Sequence, residues 1–265
     1  MRTSFIGLSA LALVTAVAAA APAFADEAAA PAFTITGSAA LTSDYRFRGI
    51  SQSDRRVAAQ ASATLTHSSG FYASFWTSSI SEYVYAGAND ELDLIGGYSK
   101  TIDGVTLDGG LLYYVYANAN NGVDSDFFEP YASVKTTFGP ATAKFGVNYA
   151  PKQHAVARPA TFGLGGKDDN LYIYGELSGA IPKTPFSVLA HLGYNKGASY
   201  LTGGLDHYYD WNLGASYTYK NATLSVTYVD TSKNAKRGAF LLGSAGGQVR
   251  NQATAGVVGA LTFAF

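Results

Sequence analysis

The chain has 265 residues, 18 basic against 19 acidic for a net charge of −1, no cysteine, and a heavy load of 19 tyrosines, 15 phenylalanines and 29 glycines. Near-neutral charge gives no electrostatic footing for nucleic acid, and the absence of thiols excludes disulfides, thiolate metal sites and cysteine nucleophiles. Only 14% of residues are charged, few for a water-facing surface.

The N-terminus reads as a secretory signal. Arg2 supplies the positive start, residues 5–21 form an apolar run, and Ala23-Phe24-Ala25 gives the small-x-small pattern before a cut ahead of Asp26. The apolar run sits at the lower limit for spanning a bilayer. Residues 1–25 are therefore expected to be removed, leaving 26–265 as one domain. No later stretch is apolar for long enough to make a membrane helix, yet short apolar and aromatic stripes recur. For an exported chain, the remaining membrane solution is the closed β-barrel.

Period-two alternation bounded by turn residues predicts strands over residues 33–48, 56–67, 71–79, 90–100, 105–117, 127–138, 141–150, 169–180, 185–195, 207–220, 222–230 and 248–265. The eighth is typical: Leu171, Ile173 and Leu177 alternate with Asn170, Tyr172, Tyr174, Glu176 and Ser178. Ser68-Ser69-Gly70, Asp103-Gly104, Gly139-Pro140, Pro182-Lys183-Thr184 and Asn221 mark tight turns, and longer loops fall between them in strict alternation. The expected fold is all-β: a transmembrane antiparallel up-and-down β-barrel of about twelve strands, with short turns on the periplasmic side and long loops outside. A secreted β-sandwich would not require that alternation of loop lengths.

The densest pattern is Ser43-Asp44-Tyr45-Arg46-Phe47-Arg48-Gly49-Ile50-Ser51-Gln52. It resembles the signature of the TorF family of porins, with echoes at Ser69-Gly70-Phe71-Tyr72, at Glu91-Leu92-Asp93 before Gly96-Gly97-Tyr98, and at Leu112-Tyr113-Tyr114. That resemblance covers most of the mature chain. It implies a bacterial outer-membrane barrel with no defined substrate or catalytic residues. Phe265, with Phe263 and Leu261 on the same face, resembles the terminal aromatic signature of proteins handled by the barrel assembly machinery.

Alternation predicts what faces the lumen. Arg46 and Arg48 near the top of the first strand and Arg250 near the top of the last should form one basic wall, because closure pairs those strands. Tyr45 and Phe47 should point to lipid, and residues 49–54 should be a short outer connection. Glu91, Asp93, Glu129, Glu176 and Asp210 should form an acidic wall facing the arginines. Trp76, Tyr114, Tyr116, Tyr172, Tyr174 and Tyr208 should gather in the upper lumen, either as filler or as rings that stack on a solute.

Two functions fit. One is a porin-like channel for passive diffusion of small polar or charged solutes through a charged lumen. The other is a closed structural or adhesive outer-membrane barrel with a salt-bridged, non-conducting interior. No cofactor is called for. His67 and Ser69 have a His-x-Ser spacing, but at a predicted short turn without an oxyanion donor, so no enzyme is expected. The histidines His67, His154, His191 and His207 are too dispersed in sequence to mark a metal site.

Overall fold

The computed structural model describes residues 31–85, 87–120, 122–159, 164–244 and 248–265. The expected signal, residues 1–25, lies outside them. Twelve strands form the wall: β1 Phe33–Thr42, β2 Ala58–His67, β3 Phe71–Ser79, β4 Asp90–Ile102, β5 Val105–Val115, β6 Phe127–Phe138, β7 Ala141–Gln153, β8 Asp168–Ala180, β9 Phe186–Lys196, β10 His207–Tyr219, β11 Ala222–Thr231 and β12 Gly256–Ala264. Each pairs antiparallel with its sequence neighbours, and β1 closes on β12. The protein is a twelve-stranded transmembrane β-barrel.

The seam is held in register from Ser38 opposite Ala264 to Thr42 opposite Ala260. Beyond the strand end, Gly37 N–H donates to the Phe265 carbonyl (2.9 Å) and Phe265 N–H to the Gly37 carbonyl (3.0 Å). Closure leaves no edge strand in the described barrel wall, as a lipid environment demands.

Alternation explains both faces. Outward positions such as Leu41, Leu65, Phe75, Leu94, Leu111, Phe145, Leu192 and Leu213 are exposed, forming the lipid-facing band. Inward positions near the short turns are small hydroxyls that satisfy one another: Thr101 with Thr106 (2.9 Å), Thr137 with Thr142 (3.0 Å) and Thr218 with Thr223 (3.1 Å). Farther up, the tyrosines need room. A Cβ on Gly97 would lie 2.6 Å from the Tyr72 hydroxyl and 2.8 Å from that of Tyr131, so the bare backbone there makes space for two phenols.

Two expected strands are shorter by six residues or more than their alternation suggested. β1 stops at Thr42 rather than continuing to Arg48, because Ser43 to Asp54 turns inward. β12 starts at Gly256 rather than at residue 248, since Gln248–Asn251 pairs instead with Leu241–Ser244 in a separate rim hairpin.

Candidate functional site

The segment between β1 and β2 occupies the long-loop half of the lumen. Arg46–Phe47 and Ile50–Ser51 pair as a small inner hairpin outside the barrel sheet. Its two turn residues both have positive φ, Arg48 at 48° and Gly49 at 81°, the signature of a type I′ turn. Arginine pays a steric penalty in that region of about 1–2 kcal/mol. Gly49 is also required by contact, since a Cβ would lie 2.7 Å from Thr231 Cγ2 and 2.8 Å from Asp210 Cβ. The hairpin tip is seated against β10 and β11.

Side-chain hydrogen bonds hold the segment in this shape. Asp44 accepts from Ser51 Oγ (2.6 Å) and Ser53 Oγ (3.2 Å), and its other oxygen takes Arg46 Nε at 2.5 Å. Arg46 Nη1 then caps the carbonyls of Gly49, Gln252 and Thr254. Arg46 is therefore spent on bracing loop backbone rather than lining open water.

Arg48 crosses the lumen. Its Nη2 donates to Glu129 Oε1 (2.8 Å) and Oε2 (2.6 Å), while Nη1 donates to Asn170 Oδ1 (3.0 Å). Glu129 belongs to β6, five strands from β1 one way round the wall and seven the other. The guanidinium also sits over the Tyr172 ring at 4.3 Å. Tyr114 donates its hydroxyl to Glu129 (3.1 Å), and Tyr208 donates to the Arg48 carbonyl (3.0 Å). The pair is almost fully buried, with 3% and 0% of the two side chains exposed.

The six expected lumen aromatics all point inward and are buried. They pack on each other and on loop residues: Tyr114 stacks on Phe127 (4.2 Å), Tyr116 on Tyr85 (3.9 Å), and Trp76 meets Tyr45 (5.1 Å). Tyr45 and Phe47, expected on the lipid face, instead join this interior cluster. Tyr45 is 1% exposed.

The expected basic wall does not assemble. Arg46 and Arg48 lie in the inner hairpin and its turn, while Arg250 is on the exposed rim hairpin, 3.9 Å from Asp54. The acids divide between two levels. Glu91 and Asp93 lie buried beside Tyr45, whose hydroxyl donates to Glu91 (3.3 Å). Glu129 takes Arg48. Asp210 and Glu176 flank His191, at 3.2 Å from Nε2 and 3.4 Å from Nδ1.

Below the bridge, Lys135 faces Lys144 across β6 and β7, and Glu176 is in register with Lys144. Alternation in the sequence sets Lys135 and Lys144 on the polar face of their strands, opposite Val134 and Phe145, and His191, opposite Ala190, has the same inward parity. The partners of Asp44, Asn170 and Gln252 carried no such signal, because they are set by the inward fold of a loop.

His67 and Ser69 do meet, Nδ1 to Oγ at 2.7 Å, but Ser69 N–H also donates to Nδ1 at the exposed turn. This is a turn contact. Among the described residues, no group of three or more His, Cys, Asp or Glu side chains could hold a metal ion.

A family profile described as "Bacterial protein of unknown function (Gcw_chp)" matches residues 25–263. Among solved structures, the chain is similar to the NanC porin, with TM-score 0.54 and 11% identity over 88% of this chain and 99% of that one. It is also similar to the KdgM porin, with TM-score 0.52 and 11% identity over 87% and 98%. At that identity the likeness speaks to fold alone: a porin-like β-barrel. No curated protein matches the chain in sequence.

Proposed function

The chain belongs to the Gcw_chp family of bacterial proteins, whose description assigns no function, and we propose that it is an outer-membrane barrel closed by its own first loop. The observation that carries this reading is the Arg48–Glu129 bridge, which pins the inner hairpin to the opposite wall. Free diffusion of solutes would require that hairpin to leave and would strand two buried charges, at a cost of several kcal/mol. The packed aromatics above and beside the bridge support filler rather than a solute platform. A closed barrel with a salt-bridged interior therefore fits better than an open pore.

Within the same proposal, residues 1–25 direct export and are removed, the long loops face outside, and Phe265 engages the barrel assembly machinery. The likeness to the TorF porins belongs here as well. Planar-bilayer recording tests the closure. Wild-type protein should show no steady conductance, and replacing residues 44–54 with a short Gly-Ser linker should produce one. Steady ohmic conductance from wild type, unchanged by that replacement, would overturn it.

A further inference from the structure

Basic residues cluster at two places on the long-loop rim: the end of β7 and the loop after it, with Lys152, Arg158 and Lys167, and the segments that flank the β1–β12 seam. Residues 232–255, between β11 and β12, contain Lys233, Lys236, Arg237 and Arg250 and no acid. Residues 80–89, which pack against the first loop through the Ser81 N–H to Gln52 carbonyl bond (2.8 Å), contribute one acid, Glu82. The first loop adds Arg55 and Arg56 to the group at the β1–β12 seam.

Part of this group is built. Asp54 and Arg55 are successive non-glycine residues with positive φ, 53° and 57°. That backbone buries the Asp54 carboxylate and turns Arg55 and Arg56 outward. Asp54 lies 3.8 Å from Arg56 Nε and 3.9 Å from Arg250 Nη1, and Gln252 Nε2 donates to it at 2.9 Å. One carboxylate thus sits beneath two exposed guanidinium groups, facing away from any ligand that approaches from outside. Arg55 is tied alongside through Asn251 and Thr254. Partial burial, with Arg46 and Arg250 nearby, pushes its pKa below the usual arginine value.

The position identifies the partner. Val57 follows Arg56 directly and is 69% exposed, and Val249 adjoins Arg250. Val257, one residue into β12, is also exposed on the outer face. The guanidinium groups stand where the lipid-facing band meets the polar rim, which is the depth of lipid headgroups. Guanidinium forks match phosphate oxygens with paired hydrogen bonds.

We propose that Arg55, Arg56 and Arg250 form a binding site for the phosphate groups of an anionic lipid in the outer leaflet, at the seam of the barrel. The proposal rests on the outward orientation of the long loops, and it is independent of whether the lumen conducts.

Native mass spectrometry of the purified full chain in detergent tests it, with diphosphoryl lipid A, dephosphorylated lipid A and inorganic pyrophosphate as probes. Wild type should hold diphosphoryl lipid A at least tenfold more tightly than the Arg55→Gln/Arg56→Gln/Arg250→Gln variant. Neither should hold the dephosphorylated lipid preferentially. Because Arg55 and Arg250 also brace loops, Arg56→Gln alone serves as a milder variant and should lose about threefold. Lys183→Gln/Lys220→Gln, at the short-turn rim, should bind as wild type does. Equal binding by wild type and the triple variant, or equal loss in the short-turn control, would overturn the site. Pyrophosphate held as tightly as the lipid would overturn the lipid assignment in favour of a soluble phosphate.

Discussion

Arg48 Nη2 reaches both carboxylate oxygens of Glu129, at 2.8 and 2.6 Å, from a loop that leaves the wall five strands away. Desolvating such a pair costs energy that its mutual attraction offsets only with additional hydrogen bonds, and Asn170 and Tyr114 provide them. Removing one partner leaves the other charge buried. Arg48→Ala should therefore destabilise the barrel by about 3–5 kcal/mol. The double variant Arg48→Met/Glu129→Leu should cost clearly less than the two single losses together. Equilibrium unfolding in lipid vesicles, followed by fluorescence of Trp76 and Trp211, gives both numbers. Additive losses would show that the two groups are not coupled.

The hairpin tip tests the same closure by shape instead of charge. Gly49 needs a positive φ and also lies too close to Thr231 and Asp210 to carry a side chain. Gly49→Val should cost at least about 1–2 kcal/mol through backbone strain alone, with the steric clash in addition. We expect the inner hairpin to be displaced while the twelve strands persist. Protease added from the long-loop side should then cut near Arg55 in the variant and spare the wild type. Equal resistance of both would mean that the tip does not depend on this contact.

The wall was legible because its chemistry is local. Two-residue alternation and tight-turn residues mark strand positions without knowledge of distant contacts, and the same parity puts Glu129 and the buried tyrosines on the inner face. The first loop was not legible for the same reason. Tyr45 and Phe47 alternate with Arg46 and Arg48 as a continuing strand would, so parity assigned the aromatics to lipid. What ends β1 is tertiary: Asp44 gathers Arg46, Ser51 and Ser53 within the folded loop, and Arg48 finds Glu129, 81 residues on, across the lumen. The Arg48-Gly49 pair was the available hint, since glycine after arginine permits a tight turn.

The fit of tyrosine to glycine extends the interior below the plug. Tyr72 and Tyr131 hydroxyls meet beside Asp108, which accepts from Tyr72 at 2.8 Å, and both lie over Gly97. Gly97→Val would displace two phenols and leave Asp108 short of a donor, a loss of about 1–3 kcal/mol for an unsatisfied buried group beyond the clash. Tyr72→Phe removes the donor alone and should cost less than Gly97→Val. Thermal unfolding monitored by circular dichroism would rank the two, and the reverse order would show that Gly97 has room to spare.

Docking of the second long loop should depend on alkaline pH. Tyr85 donates its hydroxyl to the Ser125 carbonyl (2.9 Å), and Tyr200, edge-on to Tyr85, donates to the Val84 carbonyl (3.0 Å). Burial, with neighbouring tyrosine and acid groups, raises the Tyr85 pKa, and burial pushes that of Tyr200 up to about 12. A released tyrosine ionises near 10, so the folded values lie above the unfolded ones. The docked loop is therefore fully favoured below about pH 10 and is lost as pH rises towards the folded values. Each tyrosine should increase the opening equilibrium by up to about tenfold per pH unit in that interval. Proteolysis of residues 80–89 should accelerate accordingly between about pH 10 and 12. Tyr200→Phe, which keeps the ring but cannot ionise, should flatten that rise, and an unchanged slope would show that Tyr200 does not govern the docking.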